Sequence, residues 1–472
     1  MRNIPAALPA ADDLDSARLI LRDGTSATVR PAEPHDKALI VRFFHDLSVN
    51  ARWHRFFSLS EPDATIIGRL IGSGDPRKGL SLIALRSVEG DARIVAVASY
   101  VALTGTAAEV SFAVDDRFQG KGISTLLLER LAVHAADAGF RTFHASMLAD
   151  NLPMRDVFRD SAFEIRSTSG DGVVELQLTL SASANSVATS ERRRQQAAAA
   201  SIRPLLEPRS IAVIGASRDP SKIGSRVLRA LQKGGYNGRI FPVHPVAPDL
   251  GGLPAVPSAR DLPPGLDLAI VAVPYDRVLA IVDDCAAAGV KSLVVISAGF
   301  AETGPEGRAR QDALTERVRA YGMRMIGPNC MGILNTDPAF QLDATFAPTQ
   351  PIRGGIGFLS QSGAMGAAIL NRARQLGLGI SMFASMGNKA DVSGNDLLEY
   401  WEQDPDTKLV LMYLENFGNP RKFTQIARRI TRRMPVIAVK SGRTAAGAAA
   451  AASHTGALAA GRDYAVDALL WQ

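Results

Sequence analysis

The stretch "SIAVIGAS", residues 210–217, sets an unbroken apolar run directly before a glycine and a serine. Such a run is typical of a strand that is buried on both faces of a sheet, and the glycine begins a turn into a helix. The same order of strand, turn and helix recurs in four further stretches. These are "RIFPVHP", "DLAIVAVP", "KSLVVISAG" and "MRMIGPN", between residues 239 and 329. Apolar strands that alternate with helices predict a parallel, doubly wound α/β sheet.

A second series of the same kind begins at residue 354. It reads "GGIGFLSQSGA", "GISMFASMGNKAD", "KLVLMYLEN" and "MPVIAVKSG". The chain is therefore expected to carry two consecutive α/β domains after residue 202, with a boundary between residues 345 and 346.

Residues 181–201, "SASANSVATSERRRQQAAAAS", separate these domains from a different pattern upstream. Small polar residues, arginines and alanines offer almost nothing to bury, which indicates a linker. Flexible coil and an alanine-rich helix between two packed domains are both open here. Upstream, short apolar strands flank one helix, "STLLLERLAVHAADAG" (124–139), and predict a mixed sheet with helices over residues 18–180.

Composition limits the classes of function. The 472 residues carry a formal net charge of only +6, and the arginines are scattered, so we expect no nucleic-acid partner. Cys285 and Cys330 form no CxxC pair, which fits a reducing compartment and indicates no zinc or other metal site. The N-terminus lacks a leader pattern, and no apolar run reaches the roughly 18 residues of a membrane helix. We therefore expect a cytoplasmic protein without a membrane partner.

A glycine-containing loop lies between a strand and the helix at 124–139. It reads "VDDRFQGKGIS", residues 114–124. Glycines let backbone N–H groups approach an anion, and the positive end of the following helix favours a phosphate there. The sequence thus predicts a pyrophosphate site, with a plain strand-to-helix turn as the alternative.

This loop, Glu109 on the preceding strand and Asn151 after the next one resemble the GNAT acyltransferases and their Q-x-x-G-x-G/A motif. Ser124 stands where glycine or alanine is usual, and "LSVNARWHRFFSLS" (47–60) is similar to GNAT domains fused to acyl-CoA synthetases. The resemblance implies acetyl-CoA as cofactor and Glu109 as the base that deprotonates an attacking lysine. Phe158 stands where many members carry a tyrosine acid. The implied cofactor-binding residues are Val114, Gln119, Gly120, Lys121, Gly122, Ile123, Ser124 and Asn151.

The turn after residue 214 departs from G-x-G-x-x-G, and "FPVHP" lacks the acidic residue that binds an NAD ribose, so we expect no nicotinamide cofactor. Residues 202–345 resemble the CoA-binding domain of NDP-forming acyl-CoA synthetases and of the succinyl-CoA synthetase alpha subunit. His244 stands where asparagine is more usual. The alternatives are turn geometry for the glycines and prolines and a packed thiol for Cys330. The implied CoA-binding residues are Gly215, Ser217, Lys222, Gly224, Pro242, Val243, Pro274, Ser297, Gly299, Asn329 and Cys330.

"SQSGAMGAAIL" (360–370) and "SHTGALAAG" (453–461) extend the ligase resemblance over residues 346–472, for which it implies a flavodoxin-like domain. It implies that His454 becomes phosphorylated, that Ser362 and Gly363 bind the phosphate, and that Glu415 orients the imidazole. A neutral imidazole is a competent nucleophile near pH 7. ATP or ADP with Mg²⁺ would need an ATP-grasp module, which this chain does not contain and which we expect as a separate subunit or as a further part of a longer fusion.

Three functions follow from these patterns. The first resembles Pat-type protein lysine acetyltransferases, with acyl-CoA synthetase lysines as acceptors and a regulatory ligase-like region. The second is the alpha-like half of an ADP-forming acyl-CoA ligase that acts through His454 with an ATP-grasp partner. In the third, residues 202–472 only sense a ligand. We also expect a homo-oligomer.

Overall fold

A computed structural model of the chain describes residues 18–441, apart from residues 59, 72–73, 89, 162 and 182–183. Contacts divide the chain into two units, Met1–Ala197 and Ala198–Gln472. Within the described ranges, no helix is both long enough and apolar enough to span a membrane.

The first unit is built on an eight-stranded sheet of order β1-β2-β3-β4-β5-β6-β8-β7. Every neighbouring pair is antiparallel except β5 and β6, which run parallel. The strands are β1 (Arg18–Ile20), β2 (Ser26–Pro31), β3 (Gly79–Val88), β4 (Asp91–Ala102), β5 (Ala107–Val114), β6 (Thr142–Leu148), β7 (Glu164–Gly170) and β8 (Val173–Thr179).

Helices cover both faces of this sheet. Phe43 and Phe44 of α1 and Leu70 of α3 pack on one face, while Leu127 and Leu131 of α4 pack on the other. Because successive strand residues point to opposite faces, this arrangement buries long apolar runs such as the centre of β4. The mixed sheet with helices is confirmed. The helices are α1 (Lys37–Asp46), α2 (Val49–Phe56), α3 (Ala64–Ile71), α4 (Ile123–Asp137) and α5 (Leu152–Arg159).

The segment that we interpret as a linker forms a helix, α6 (Ala184–Leu206). The sequence left open whether this segment is a flexible coil or an alanine-rich helix, and the structure shows a helix. In its last turns Ile202, Leu205 and Leu206 are fully buried in the core of the second unit.

The second unit begins with a five-stranded, entirely parallel sheet of order β10-β9-β13-β14-β15. Strand β10 lies on one side of β9, whereas β13, β14 and β15 follow on its other side. This change of direction leaves a crevice between the carboxyl ends of β9 and β13. The elements are β9 (Ser210–Ile214), α7 (Ile223–Gly234), β10 (Arg239–Val243), β11 (Asp249–Leu250), β12 (Leu253–Pro254), β13 (Leu268–Val271), α8 (Tyr275–Ala287), β14 (Ser292–Val295), α9 (Pro305–Ala320) and β15 (Arg324–Ile326).

A six-stranded sheet of order β17-β16-β19-β18-β20-β21 follows. Strands β18 to β21 are parallel, whereas β16 runs antiparallel to both of its neighbours. The elements are β16 (Gly332–Asn335), β17 (Leu342–Thr345), β18 (Ile352–Ser360), α10 (Gly363–Gln375), β19 (Gly379–Ser385), α11 (Gly394–Trp401), β20 (Leu409–Leu414), α12 (Pro420–Ile430) and β21 (Val436–Lys440).

The two antiparallel strands correct one detail of the sequence interpretation. We place residues 332–345 in the preceding CoA-binding domain, whereas β16 pairs with β19 of the following sheet and β17 pairs with β16. Only a few residues join β15 to β16, too few for the crossover that a parallel continuation requires. The chain therefore turns directly into the next sheet.

Candidate functional site

The parallel strands β5 and β6 separate part of the way along their length. Their ladder pairs Ala107 with Thr142, Ala108 with Phe143 and Glu109 with His144, and in the described residues it ends there. Beyond this point β5 remains paired with β4 as far as Val114, and β6 remains paired with β8 as far as Leu148. The divergence leaves a cleft lined by one edge of β5, whose backbone groups are available to an extended chain.

The glycine loop predicted to bind pyrophosphate lies at the open end of this cleft. Gly120 and Gly122 have φ values of +74° and +79°, a conformation that side chains other than glycine rarely adopt. A Cβ at Gly120 would meet nothing within 4 Å, so this side of the loop is uncovered. Helix α4 begins at Ile123, and the first N–H groups of a helix have no intrahelical acceptor. The residues present therefore fit an anionic pyrophosphate.

Side chains in this loop differ in what they can offer a ligand. The Gln119 amide donates to the carbonyl of Val114 at 3.3 Å and so ties the loop to β5. Lys121 pairs with Asp23 at 2.9 Å. Burial alone would raise the pKa of Asp23, but hydrogen bonds from Thr25 and Lys121 outweigh it and lower the pKa. Ile123 and Ser124 are buried, so they offer the ligand their backbone only.

Glu109, the predicted base, is exposed at the vertex where the two strands separate. Ser111 lies two residues further on the same face of β5 and accepts a hydrogen bond from Arg55 of α2 at 2.7 Å. The Ser111 hydroxyl is also 3.1 Å from that of Ser99 on β4. Burial lowers the pKa of Arg55 to about 10, and the charge of Glu109 opposes that shift. An acid and a guanidinium thus share one small polar patch.

Asn151 and Phe158 both take part in the packing of this domain. Asn151 is buried and caps α5, accepting from the N–H of Met154 at 3.1 Å. Phe158, in the place of the family's usual tyrosine, packs edge to face against Phe112 with ring centroids 6.4 Å apart. A buried phenyl ring offers no proton, as the sequence predicts.

In the second unit, glycines bring the turn after β9 close to its neighbours. A Cβ at Gly215 would lie 2.3 Å from the carbonyl oxygen of Ala272, and one at Gly224 would lie 2.3 Å from that of Gly215. Only glycine fits at either position. The turn crosses the carboxyl end of β13 at the crevice where doubly wound sheets bind ligands, and the exposed Lys222 precedes α7 there. This cradle fits CoA phosphates.

The remaining residues predicted to bind CoA differ in their hydrogen bonds and their burial. The N–H of Ser217 donates to the hydroxyl of Ser225 at 3.1 Å, and that hydroxyl donates to the carbonyl oxygen of Ser217 at 2.6 Å. His244 accepts from the N–H groups of Val246 and Ala247 through Nδ1 at 3.1 and 2.9 Å, as an asparagine oxygen could. Pro242 and Val243 are buried, and Pro274 lies immediately before α8.

Residues assigned to the thiol end of CoA come together at the ends of β14 and β15, with one exception. Asn329 donates its N–H to the carbonyl of Ser297 at 2.9 Å, and the N–H of Gly299 donates to Glu302 at 2.6 Å. The thiol of Cys330 is buried and donates to the carbonyl of Val295 at 3.3 Å, and burial raises its pKa to about 12. The Cys330 thiol is thus packed against β14, as in the packed alternative.

In the following sheet, the ends of β18 and β20 meet around Gln361. Its amide oxygen accepts from the N–H groups of Glu415 and Asn416 at 2.7 and 3.0 Å, and its nitrogen donates to the carbonyl of Asn416 at 2.8 Å. Ser362 caps α10, which begins at Gly363. The predicted phosphate-binding turn and Glu415 are therefore joined. His454 lies outside the described residues.

Sequence reasoning missed Arg55, Gln361 and Lys389. Lys389 donates to the carbonyl of Asn416 at 3.2 Å, and burial lowers its pKa to about 8 while Glu415 opposes the shift. All three lie inside the stretches singled out from the sequence. Spacing alone gave no signal for them, because their contacts join residues that are more than 20 positions apart.

Three family models match the chain. They are the acetyltransferase (GNAT) family at residues 46–163, a CoA binding domain at residues 209–336, and a succinyl-CoA ligase like flavodoxin domain at residues 353–472. The matched classes are α/β enzymes that handle acyl groups and CoA. The chain contains a GNAT domain followed by a CoA-binding domain and a succinyl-CoA ligase-like domain.

The relatives match different parts of the chain. The alpha subunit of ADP-forming acetate–CoA ligase II from Pyrococcus furiosus is 43% identical over 252 residues, which are 53% of this chain and 54% of that relative. The dinucleotide-forming acetyl-coenzyme A synthetase 1 of Ca. Korarchaeum cryptofilum, solved with phosphate and ADP, is 44% identical, with 57% of each chain covered and a TM-score of 0.55. The GNAT domain of S. lividans PAT is 30% identical, with 34% of this chain and 95% of that one covered and a TM-score of 0.31. This chain thus spans about half the length of the acetate–CoA ligase relative.

Proposed function

We propose that the chain is an acetyl-CoA-dependent N-acetyltransferase that acts on lysine side chains of proteins, with acyl-CoA synthetases as acceptors. One observation carries the proposal. The cleft between β5 and β6 has the exposed carboxylate of Glu109 at its vertex and the left-handed glycine loop at its mouth. The GNAT match over residues 46–163 includes both features.

The chemistry follows from the positions of these residues. Acetyl-CoA would supply an activated acetyl group as a thioester. Glu109 accepts a proton from the acceptor ammonium, directly or through water, so that the neutral amine attacks the carbonyl carbon. The C–N bond forms and the C–S bond breaks. Because Phe158 offers no proton, the departing thiolate takes its proton from solvent.

The CoA-binding and ligase-like domains regulate this reaction in the proposal. The crevice at Gly215 and Gly224 gives the chain a second place for CoA, apart from the acetyl-transfer cleft. We infer that occupancy of this crevice reports the supply of CoA to the acetyltransferase.

The decisive experiment incubates the full chain with radiolabelled acetyl-CoA and a purified acyl-CoA synthetase. Label on a synthetase lysine, located by mass spectrometry, is the expected result, and a synthetase with that lysine changed to arginine is the control. Spermidine and free lysine test small amines as acceptors. Transfer to small amines with none to the protein would contradict the assigned acceptor class.

A second candidate function has its own observation. Gln361 joins the backbone of Glu415 to the turn at Ser362, which we propose binds phosphate, and the ligase relative matches 53% of this chain. In that function His454 carries a phosphoryl group between a nucleotide bound to an ATP-grasp partner and an acyl substrate. Labelling with radioactive ATP and such a partner tests it. An acid-labile label lost in His454→Asn but kept in His35→Asn supports it, and no label on the wild type refutes it.

A further inference from the structure

Arg55 lies close to the proposed base, because Ser111, to which it donates, is two positions from Glu109 on the same face of β5. It extends from α2 to the sheet, donates to Ser111 at 2.7 Å and interacts electrostatically with Glu109. Ser99 supports the same serine from β4 at 3.1 Å. The guanidinium is therefore bonded to β5 through Ser111, whose hydroxyl is in turn fixed by Ser99 of β4.

Helix α2 is itself fixed to the loop that leads to the pyrophosphate site. Ser48 caps the helix by accepting from the N–H of Ala51 at 3.1 Å. The Ser48 hydroxyl and N–H also donate to the carboxylate of Asp116, at 2.9 and 3.2 Å. Asp116 lies three residues before Gln119, so one short segment positions both Arg55 and the glycine loop.

The remaining charged and titratable groups around Glu109 have other partners or positions. On β6, His144 is the register partner of Glu109, and on β4 the partner is the uncharged Val101. On α2, His54 faces Asp150 at 3.6 Å, and Arg52 pairs with Glu61 at 3.4 Å.

We propose that Arg55 is a positioning residue for acetyl transfer, whose charge beside Ser111 attracts the Glu109 carboxylate and disfavours the ammonium form of the incoming lysine. The inference rests on the proposed acetyltransferase function and adds to it a residue outside the glycine motif. A fixed cation within about 4–6 Å of an ammonium lowers that group's pKa. Arg55 itself remains charged at neutral pH, since its own pKa is about 10.

The test compares Arg55→Ala, Arg55→Lys and the matched control Arg52→Ala in the full chain, with acetyl-CoA and a synthetase acceptor. For Arg55→Ala we expect kcat to fall about 10- to 100-fold because the base is misplaced, with the KM for acetyl-CoA unchanged. The pH at which kcat/KM is half-maximal should rise by about one unit. Arg55→Lys and added guanidinium should each restore part of the activity, whereas Arg52→Ala should stay within about twofold of wild type.

Three outcomes separate the possibilities. An active wild type whose pH profile is unchanged in Arg55→Ala overturns the inference alone. A wild type that transfers no acetyl group overturns the acetyltransferase proposal and this inference with it. If Arg55→Ala loses its fold by circular dichroism, Ser111→Ala replaces it, since that change removes the guanidinium's hydrogen bond and leaves only a small void. A wild-type pH profile in Ser111→Ala then overturns the inference.

Discussion

Glu109 and His144 form the last residue pair of the parallel ladder between β5 and β6. Up to this pair the two strands share hydrogen bonds, and beyond it each keeps only its outer neighbour. A separation of this kind sacrifices ladder hydrogen bonds inside a sheet, which is costly unless another extended chain replaces them. The position of the carboxylate at the vertex therefore links the backbone geometry to the proposed chemistry.

The first prediction concerns Glu109 itself. Glu109→Gln keeps the shape of the side chain but removes its ability to accept a proton, so kcat for acetyl transfer should fall by about 10²–10⁴. Steady-state kinetics with saturating acetyl-CoA measures this effect. Glu175→Gln is the matched control, because Glu175 is an exposed strand carboxylate that accepts a hydrogen bond from Ser146 at 2.8 Å. Equal activity in the two variants would remove Glu109 from the mechanism.

The glycine loop gives a prediction on binding. Gly122→Val forces a β-branched residue into a φ of +79° and blocks the approach of a phosphate, so the KM for acetyl-CoA should rise at least tenfold. Gly139→Val, at the far end of α4, imposes similar strain at a φ of +98°, where a Cβ would have open space. Both variants should lose about 1–3 kcal/mol of stability. A raised KM in both would mean that strain, and not the site, explains the effect.

Lys222 offers a test of the CoA crevice. Lys222→Met removes a cation from the start of α7, and the loss of a charge-assisted contact should weaken CoA binding by about 10- to 100-fold. Lys233→Met removes a cation from the other end of the same helix and should leave affinity unchanged. Calorimetry in the Gly122→Val background separates this crevice from the acetyl-transfer cleft. Identical affinities would place the CoA phosphates elsewhere.

A pH-dependent prediction concerns the buried carboxylate of Asp36. The guanidinium of Arg30 donates to both of its oxygens at 2.6 Å and holds the pKa of Asp36 below its usual value, although burial opposes the shift. A lowered pKa stabilises the fold above the unfolded pKa of about 3.8, and this contribution is lost as the pH falls through the lower folded value. Asp36→Asn should therefore destabilise the first unit at pH 7, and this destabilisation should shrink as the pH falls below about 3.8. Urea denaturation, monitored by tryptophan fluorescence at pH 7 and at low pH, measures the free energy of unfolding of the wild type and the variant. A difference between them that does not change with pH would contradict the ion-pair explanation.

The sequence predicted most of the architecture because apolar runs and glycine turns are local signals. The strand "SIAVI" and the turn at Gly215 could be placed directly, and the parallel sheet followed from their repetition. That residues 332–345 form two antiparallel strands of the following sheet could not be predicted, since the pairing partners of a strand are not encoded in its own residues. Arg55 was missed for a similar reason, because its hydrogen bond to Ser111 and its electrostatic interaction with Glu109 join residues more than 50 positions apart.

The last prediction tests the buried network around Arg324. This side chain is 2% exposed on β15, lies 3.0 Å from Asp391 and 3.4 Å from Asp396, and donates to Ser201 of α6. Removing one partner leaves a charge unpaired in the interior, so Arg324→Met should cost about 3–5 kcal/mol in the free energy of unfolding of the second unit. Arg353→Met is the control, because its pair with Asp406, also at 3.4 Å, is exposed and should contribute about 0–1 kcal/mol. Chemical denaturation of the full chain gives both values. The double variant Arg324→Met with Asp391→Asn should recover part of the loss, since it removes both charges, and a strictly additive loss would contradict direct pairing.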